Sequence, residues 1–89
     1  MSKTQDLLKA REENVPRGPF HVTPFFAAEA KGAVIKDVEG REFIDFAGGI
    51  GVMNVGHCAE GVVEAIKDQA ERFTHTCFHV VMYEPYVEL

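Results

Sequence analysis

His57, Cys58, His75, Cys77 and His79 place five imidazole or thiol groups within 23 residues of one another. These are the ligand types that zinc prefers, and a metal reading has to be weighed. If residues 75–79 were extended, alternation would put His75, Cys77 and His79 on one side of a strand. Paired spacing of the Cys-x2-4-Cys kind, which marks most structural zinc sites, is missing. The plainer reading is a set of separate capping and packing residues. Cys77 between two histidines also has the composition of an activated thiolate. Side chains that point the same way need not touch, however, and free cysteine is among the most buried residue types, so an inert, packed Cys77 is the reading adopted. Asp37, Glu42 and Asp45 fit turn and strand roles, and their spacing gives no case for paired acid–base work.

The run Ala47-Gly48-Gly49-Ile50-Gly51-Val52-Met53-Asn54-Val55-Gly56-His57 is rich in glycine and follows an expected strand. A dinucleotide fingerprint needs Gly-x-Gly-x-x-Gly leading straight into a helix. Gly49 and Gly51 start that pattern, but Asn54 stands where the third glycine belongs and the helix begins too late. No Gly-Lys-Ser/Thr follows, so a P-loop fails as well. The run reads as a loop that needs positive φ or close backbone approach.

The elements around these residues follow from pattern and punctuation. Ser2 to Glu13 reads as a short helix capped by Ser2 and ended by Pro16. Pro16, Pro19, Pro24 and Gly18 make the next stretch an extended arm. Strands are expected at about 26–30, 33–37 and 42–46, with Asp37 to Gly40 as the turn joining the last two. Glu42, Ile44 and Phe46 then share one face of the meander, and Phe43 and Asp45 the other. Ala59 to Phe73 is the clearest helix, with Val62, Val63, Ile66, Ala70 and Phe73 as its apolar stripe. Lys67–Glu71 and Asp68–Arg72 are opposite charges four residues apart on it. Thr74 to Val81 reads as extended. Glu84 to Leu89 reads as the opening of another helix with Pro85 in its first turn, a helix expected to continue past Leu89. The organisation expected is an N-terminal helix and arm over 1–24, a small antiparallel sheet and glycine loop over 25–57, and a helix with the start of a connection to a larger domain over 58–89.

Composition narrows the partners. The net charge of −5 and the scatter of nine basic residues give no basic patch for nucleic acid or an anionic membrane. No apolar run approaches the roughly 20 residues of a membrane helix, and the polar opening residues have no signal-peptide core, so a cytoplasmic location is expected. Cys58 and Cys77 are read as free thiols. With 46% hydrophobic residues and seven phenylalanines, 89 residues offer more apolar surface than they can cover. Alone, the chain is expected to expose Phe20 and Phe25 and to behave as a loose globule.

Lys36-Asp37-Val38-Glu39-Gly40-Arg41-Glu42-Phe43-Ile44-Asp45-Phe46-Ala47-Gly48-Gly49-Ile50 resembles the strand-turn-strand entry of class III aminotransferases, and Asn54-Val55-Gly56-His57 continues the likeness. Val15 to Gly18, Phe73 to Phe78 and Tyr83 to Tyr86 are similar to the 4-aminobutyrate aminotransferase branch. The resemblance implies an α/β fold, the N-terminal segment of the type I pyridoxal-phosphate-dependent transferase fold. It implies an enzyme that moves the amino group of 4-aminobutyrate, or a similar ω-amino acid, to 2-oxoglutarate, working as a homodimer or tetramer. It assigns Ile50 to an apolar wall of the substrate pocket, and places Cys77 and His79 near the substrate. Close relatives often carry Gln at the position of His79, and His-Pro where this chain has Ala59-Glu60. No residue matches the family's Schiff-base lysine or its Gly-Ser-Glu cofactor-phosphate loop, so no catalytic and no cofactor-binding residue is assigned. The 89 residues alone are expected to hold no pyridoxal phosphate and to be inactive. A small His/Cys metal-binding module, or a fragment that pairs with complete subunits, is the alternative.

Overall fold

The computed structural model describes residues 2–89 and divides the chain into two compact units, Met1–Ala59 and Glu60–Leu89. In the first unit, helix α1 (Lys3–Asn14) starts at a complete capping box. The Ser2 hydroxyl accepts from Gln5 N–H at 3.1 Å, and the Gln5 side chain accepts from Ser2 N–H at 3.2 Å. Two of the donors that a helix start leaves orphaned are thereby satisfied. Val15 is extended and its N–H closes on Arg11 O, after which Pro16 cannot continue the helix. The Arg11 guanidinium then holds the Pro19 carbonyl, giving the arm one fixed point.

The sheet is a three-stranded antiparallel meander of β1 (Ala27–Lys31), β2 (Val34–Asp37) and β3 (Glu42–Ile44). Ala30 faces Ile35 and Lys31 faces Val34, and a bulge lies between Ala27 and Glu29. Ile35 faces Phe43, and Val34 faces Ile44. Gly32, at φ +58, makes the tight turn between the first two strands. On one face Phe25 stacks on Phe43 with centroids 4.9 Å apart, and the Arg41 guanidinium lies 5.1 Å from the Phe25 ring centre. On the opposite face, Lys36 pairs with Glu29 at 3.3 Å.

The β2–β3 turn is organised by Asp37, whose residue surface is only 2% exposed. Its Oδ1 accepts the N–H groups of Glu39 and Arg41, and its Oδ2 accepts Arg41 Nε at 2.9 Å and Nη2 at 2.8 Å. Burial by itself would push this carboxyl up; the Arg41 N–H, the Arg41 guanidinium and the Glu39 N–H outweigh it and hold it below the usual carboxylate range. Glu39 in turn accepts Thr4 N–H at 2.8 Å, which ties the start of α1 to this turn and holds the Glu39 carboxyl low.

The second unit holds α3 (Glu60–Arg72) and α4 (Glu84–Glu88), the latter with Pro85 in its first turn as expected. Phe78 meets Tyr86 at 4.6 Å and Tyr83 at 5.0 Å between ring centres, and Phe73 meets Tyr83 at 5.7 Å. Arg72 pairs with Asp68 as read from the sequence, but Lys67 turns back to Glu64 rather than on to Glu71. Both pairs are well exposed and add little stability.

Among the described residues no apolar side chain is fully buried. The apolar stripe of α3 stays open, with Val62, Ile66 and Phe73 all exposed. Phe20 is 86% exposed and Phe25 42%, in line with the expectation that too little chain is present to cover them.

Candidate functional site

The loop that leaves β3 is the most distinctive geometry in the chain. β3 ends two residues earlier than alternation suggested, because the backbone turns at Phe46, whose N–H bonds Ile44 O at 3.2 Å. It then winds into one turn, α2 (Gly48–Gly51), in which all four residues have positive φ: 56°, 62°, 57° and 73°. Gly51 N–H reaches Ala47 O at 3.0 Å, and the N–H groups of Val52 and Met53 share Gly48 O at 2.8 and 2.9 Å. This is a left-handed turn, which L-residues resist because Cβ crowds the following carbonyl. Three of its positions are glycine. The fourth is Ile50, a β-branched residue at φ 57°, ψ 64°, with its side chain pointing away and the residue 90% exposed. A bulky residue in this region marks stored strain, and such strain gathers at functional positions.

Both ends of the loop are anchored. At its start, Asp45 Oδ1 accepts Gly48 N–H at 2.8 Å. At its end, Gly32 and His57 form an isolated bridge, with N–H to carbonyl distances of 2.9 and 2.8 Å. Gly56 passes so close that a Cβ there would lie 3.1 Å from the Gly32 backbone, and its φ of 84° is one that L side chains resist, so both features favour glycine at this position. The two anchors are linked, because His57 Nε2 lies 2.6 Å from Asp45 Oδ2. An ionised carboxylate only accepts, so Nε2 is the donor. Asp45 is 7% exposed at its side chain, and the bonds from His57 and then from Gly48 N–H hold its carboxyl below its ordinary range.

The residues expected at the substrate divide between the two units, Ile50 in the first and Cys77 and His79 in the second. The segment after α3 is not the expected strand. Cys77 sits at φ 59°, and its carbonyl accepts Val80 N–H at 2.7 Å and Val81 N–H at 3.1 Å, so residues 78–80 form a turn. A left-handed residue breaks the alternation that would have aligned His75, Cys77 and His79. Cys77 is exposed rather than packed, and so is His79. Cys58 is likewise a free, exposed thiol at φ 52°, with its carbonyl held by Lys31 Nζ at 3.1 Å. His57, a member of the His/Cys set, is engaged by Asp45. Among the described residues no group of three or more His, Cys, Asp or Glu side chains is gathered to hold a metal.

Sequence reasoning placed Asp45 among strand and turn residues and did not pair it with His57. The one available signal was a carboxylate just past a strand end and three residues before the first glycine of the cluster, a position from which a side chain caps the next turn.

Comparison with known proteins gives the setting of this loop. Residues 16–89 match the family model described as aminotransferase class-III. The chain is 51% identical over 90 residues to 5-aminovalerate aminotransferase DavT of Pseudomonas aeruginosa, covering all of this chain and 21% of that protein. It is 46% identical over 89 residues to 4-aminobutyrate aminotransferase GabT of Escherichia coli, again covering all of this chain and 21% of the relative. Among solved structures, the ornithine aminotransferase of Toxoplasma gondii crystallised with oxidised glutathione superposes with a TM-score of 0.74 at 33% identity, covering 82% of this chain and 17% of that one. The chain thus spans about a fifth of the length of the curated relatives it matches. Its helices and three-stranded meander form an N-terminal segment of the α/β fold of these enzymes, and the chain belongs to the class-III aminotransferase family.

Proposed function

We propose that this chain is the N-terminal part of a pyridoxal-phosphate-dependent transaminase that moves the amino group of an ω-amino acid, 4-aminobutyrate or 5-aminovalerate, to 2-oxoglutarate. The observation that carries this reading is the left-handed turn that holds Ile50 outward, in a chain about half identical to ω-aminotransferases along its whole length. An apolar side chain fixed on a strained turn suits the methylene chain of such a donor. It excludes water along that chain and leaves the donor's charged ends for polar groups elsewhere. Cys77 and His79 are proposed to stand near the substrate in the complete enzyme. The three-part organisation read from the sequence, assembly as a homodimer or tetramer, and a cytoplasmic location belong to the same proposal. No helix among the described residues is long and apolar enough to cross a membrane.

The family uses pyridoxal phosphate, which supplies an electron sink for the carbon that carries the amino group. The described residues do not by themselves fit that cofactor. A Schiff-base lysine has to be desolvated, yet Lys3 and Lys9 are exposed, and Lys31, Lys36 and Lys67 are surface side chains engaged by the Cys58 carbonyl, Glu29 and Glu64. The chain's part in the reaction is therefore to shape and dry the pocket, and the 89 residues alone turn over no substrate.

The test is a chimaera in which residues 1–89 replace the matched N-terminal fifth of Escherichia coli GabT. Transfer from 4-aminobutyrate to 2-oxoglutarate at a rate within about tenfold of the parent supports the reading. A chimaera that folds and takes up the cofactor but transfers no amino group from either ω-amino acid refutes it.

A further inference from the structure

We propose that Asp45 and His57 are positioning residues for amino-donor binding, acting as a clasp that sets the left-handed turn and so the placement of Ile50. The inference rests on the proposed role of Ile50 at the substrate. Its own support is geometric.

The turn has little else to hold it. Ile50 is exposed, a Cβ added at Gly48 or Gly51 would meet nothing within 4 Å, and one at Gly49 would meet only the loop's own Val52 and Met53 side chains. Packing therefore does not fix the loop; hydrogen bonds at its two ends do. One carboxylate serves both ends. Oδ1 receives the N–H of Gly48, the first residue of the turn, and Oδ2 receives His57 at the loop's last residue. His57 is independently fixed by its two backbone bonds to Gly32 at the β1–β2 corner. Asp45 N–H also bonds Ala33 O at 2.8 Å at the same corner, so the Asp45 side chain carries the position of the meander on to the first residue of the strained turn and to His57. Without it, the turn keeps its internal bonds to Ala47 O and Gly48 O, and Asp45 and His57 keep their backbone bonds to Ala33 and Gly32, but Gly48 N–H loses the acceptor that sets the first residue of the turn. A left-handed residue held against its preference is the element most easily released by such a loss.

The test is a double-mutant cycle in the chimaera, read as kcat and KM for 4-aminobutyrate and 5-aminovalerate. Asp45→Ala is expected to lower kcat/KM about tenfold, mostly through KM, the size of one misplaced apolar contact. In an Ile50→Ala background the same change should cost little more, because the side chain it positions is already gone. Asp45→Asn keeps an acceptor for Gly48 N–H and should recover a large part of the loss, and it serves if Asp45→Ala fails to fold. Equal losses from the Asp45 substitution in both backgrounds would overturn the proposal while leaving Ile50 at the substrate. If Ile50→Ala alone changes neither donor's KM, the reading of Ile50 fails and the clasp proposal falls with it.

Discussion

Replacing Ile50 by glycine separates strain from function. In this turn Ile50 has φ 57° and ψ 64° between glycines that accept such angles freely. A left-handed L-residue costs about 1–2 kcal/mol, and glycine loses about 0.5–1 kcal/mol in chain entropy on being ordered. Because the side chain is 90% exposed, its removal forfeits almost no packing within the chain. The net effect of Ile50→Gly is a gain in local stability of about 0.5–1 kcal/mol. Amide exchange reads this directly, since Gly51, Val52 and Met53 donate the N–H groups that close the turn. Their exchange should slow roughly two- to fivefold at about 0.6 kcal/mol per factor of e. Activity should move the other way. Burying an isoleucine against a methylene chain is worth about 1.5–3 kcal/mol, so kcat/KM for an ω-amino acid in the chimaera should fall at least tenfold. Faster exchange at Gly51 to Met53 would show that Ile50 supports the turn, and the argument from strain would be wrong.

Three further outcomes follow from the same contacts. Asp37→Ala leaves the Glu39 and Arg41 N–H groups and the Arg41 guanidinium without their shared acceptor; the β2–β3 turn should lose its amide protection, and unchanged protection at Arg41 would count against its organising role. The carboxyls of Asp37, Glu39 and Asp45 are all held low in the folded chain, so the folded state binds fewer protons than the unfolded one. Their stabilising contribution is complete above the ordinary carboxylate range, about pH 4–5, and drains away as pH falls through the lowered values; a pH titration of the Arg41 and Gly48 amide signals should show it, and stability that rises on acidification would contradict it. Gly56→Ala places a Cβ 3.1 Å from the Gly32 backbone at φ 84°; it should open the Gly32–His57 bridge at a cost of about 1–3 kcal/mol, measured by exchange at those two amides, whereas an unchanged bridge would mean the loop gives way without cost.

The parts of the fold governed by local chemistry were legible in the sequence. Ser2, Pro16, Gly32, Gly40 and Pro85 each punctuate the chain through their own backbone preference, and the three strands and three longer helices begin and end near where those residues put them. The glycine loop was legible as one needing positive φ, but its handedness was not, since Ile50 alone argues against a left-handed turn. The segment 74–81 misled because its β-branched and aromatic residues favour a strand, while the partner strand that a ladder needs is absent among the described residues and Cys77 turns instead. The assignment of Ile50 to the proposed substrate pocket rests on family resemblance, and the Asp45–His57 contact was not foreseen. Their contact spans 12 positions, and only the return of the chain to the β1–β2 corner brings them together. The exposed stripe of α3 carries the opposite lesson: amphipathic spacing announced a buried face, and these residues leave it uncovered.

The most direct test of the central claim is to read the coding frame onward from Leu89 and assay the protein it encodes. The expected result is a continuous frame that supplies a lysine able to bind pyridoxal phosphate and a Gly-Ser-Glu loop for its phosphate, in a protein that transaminates 4-aminobutyrate or 5-aminovalerate. A stop codon directly after Leu89, or a complete protein that holds the cofactor and transfers nothing from either ω-amino acid, would contradict it.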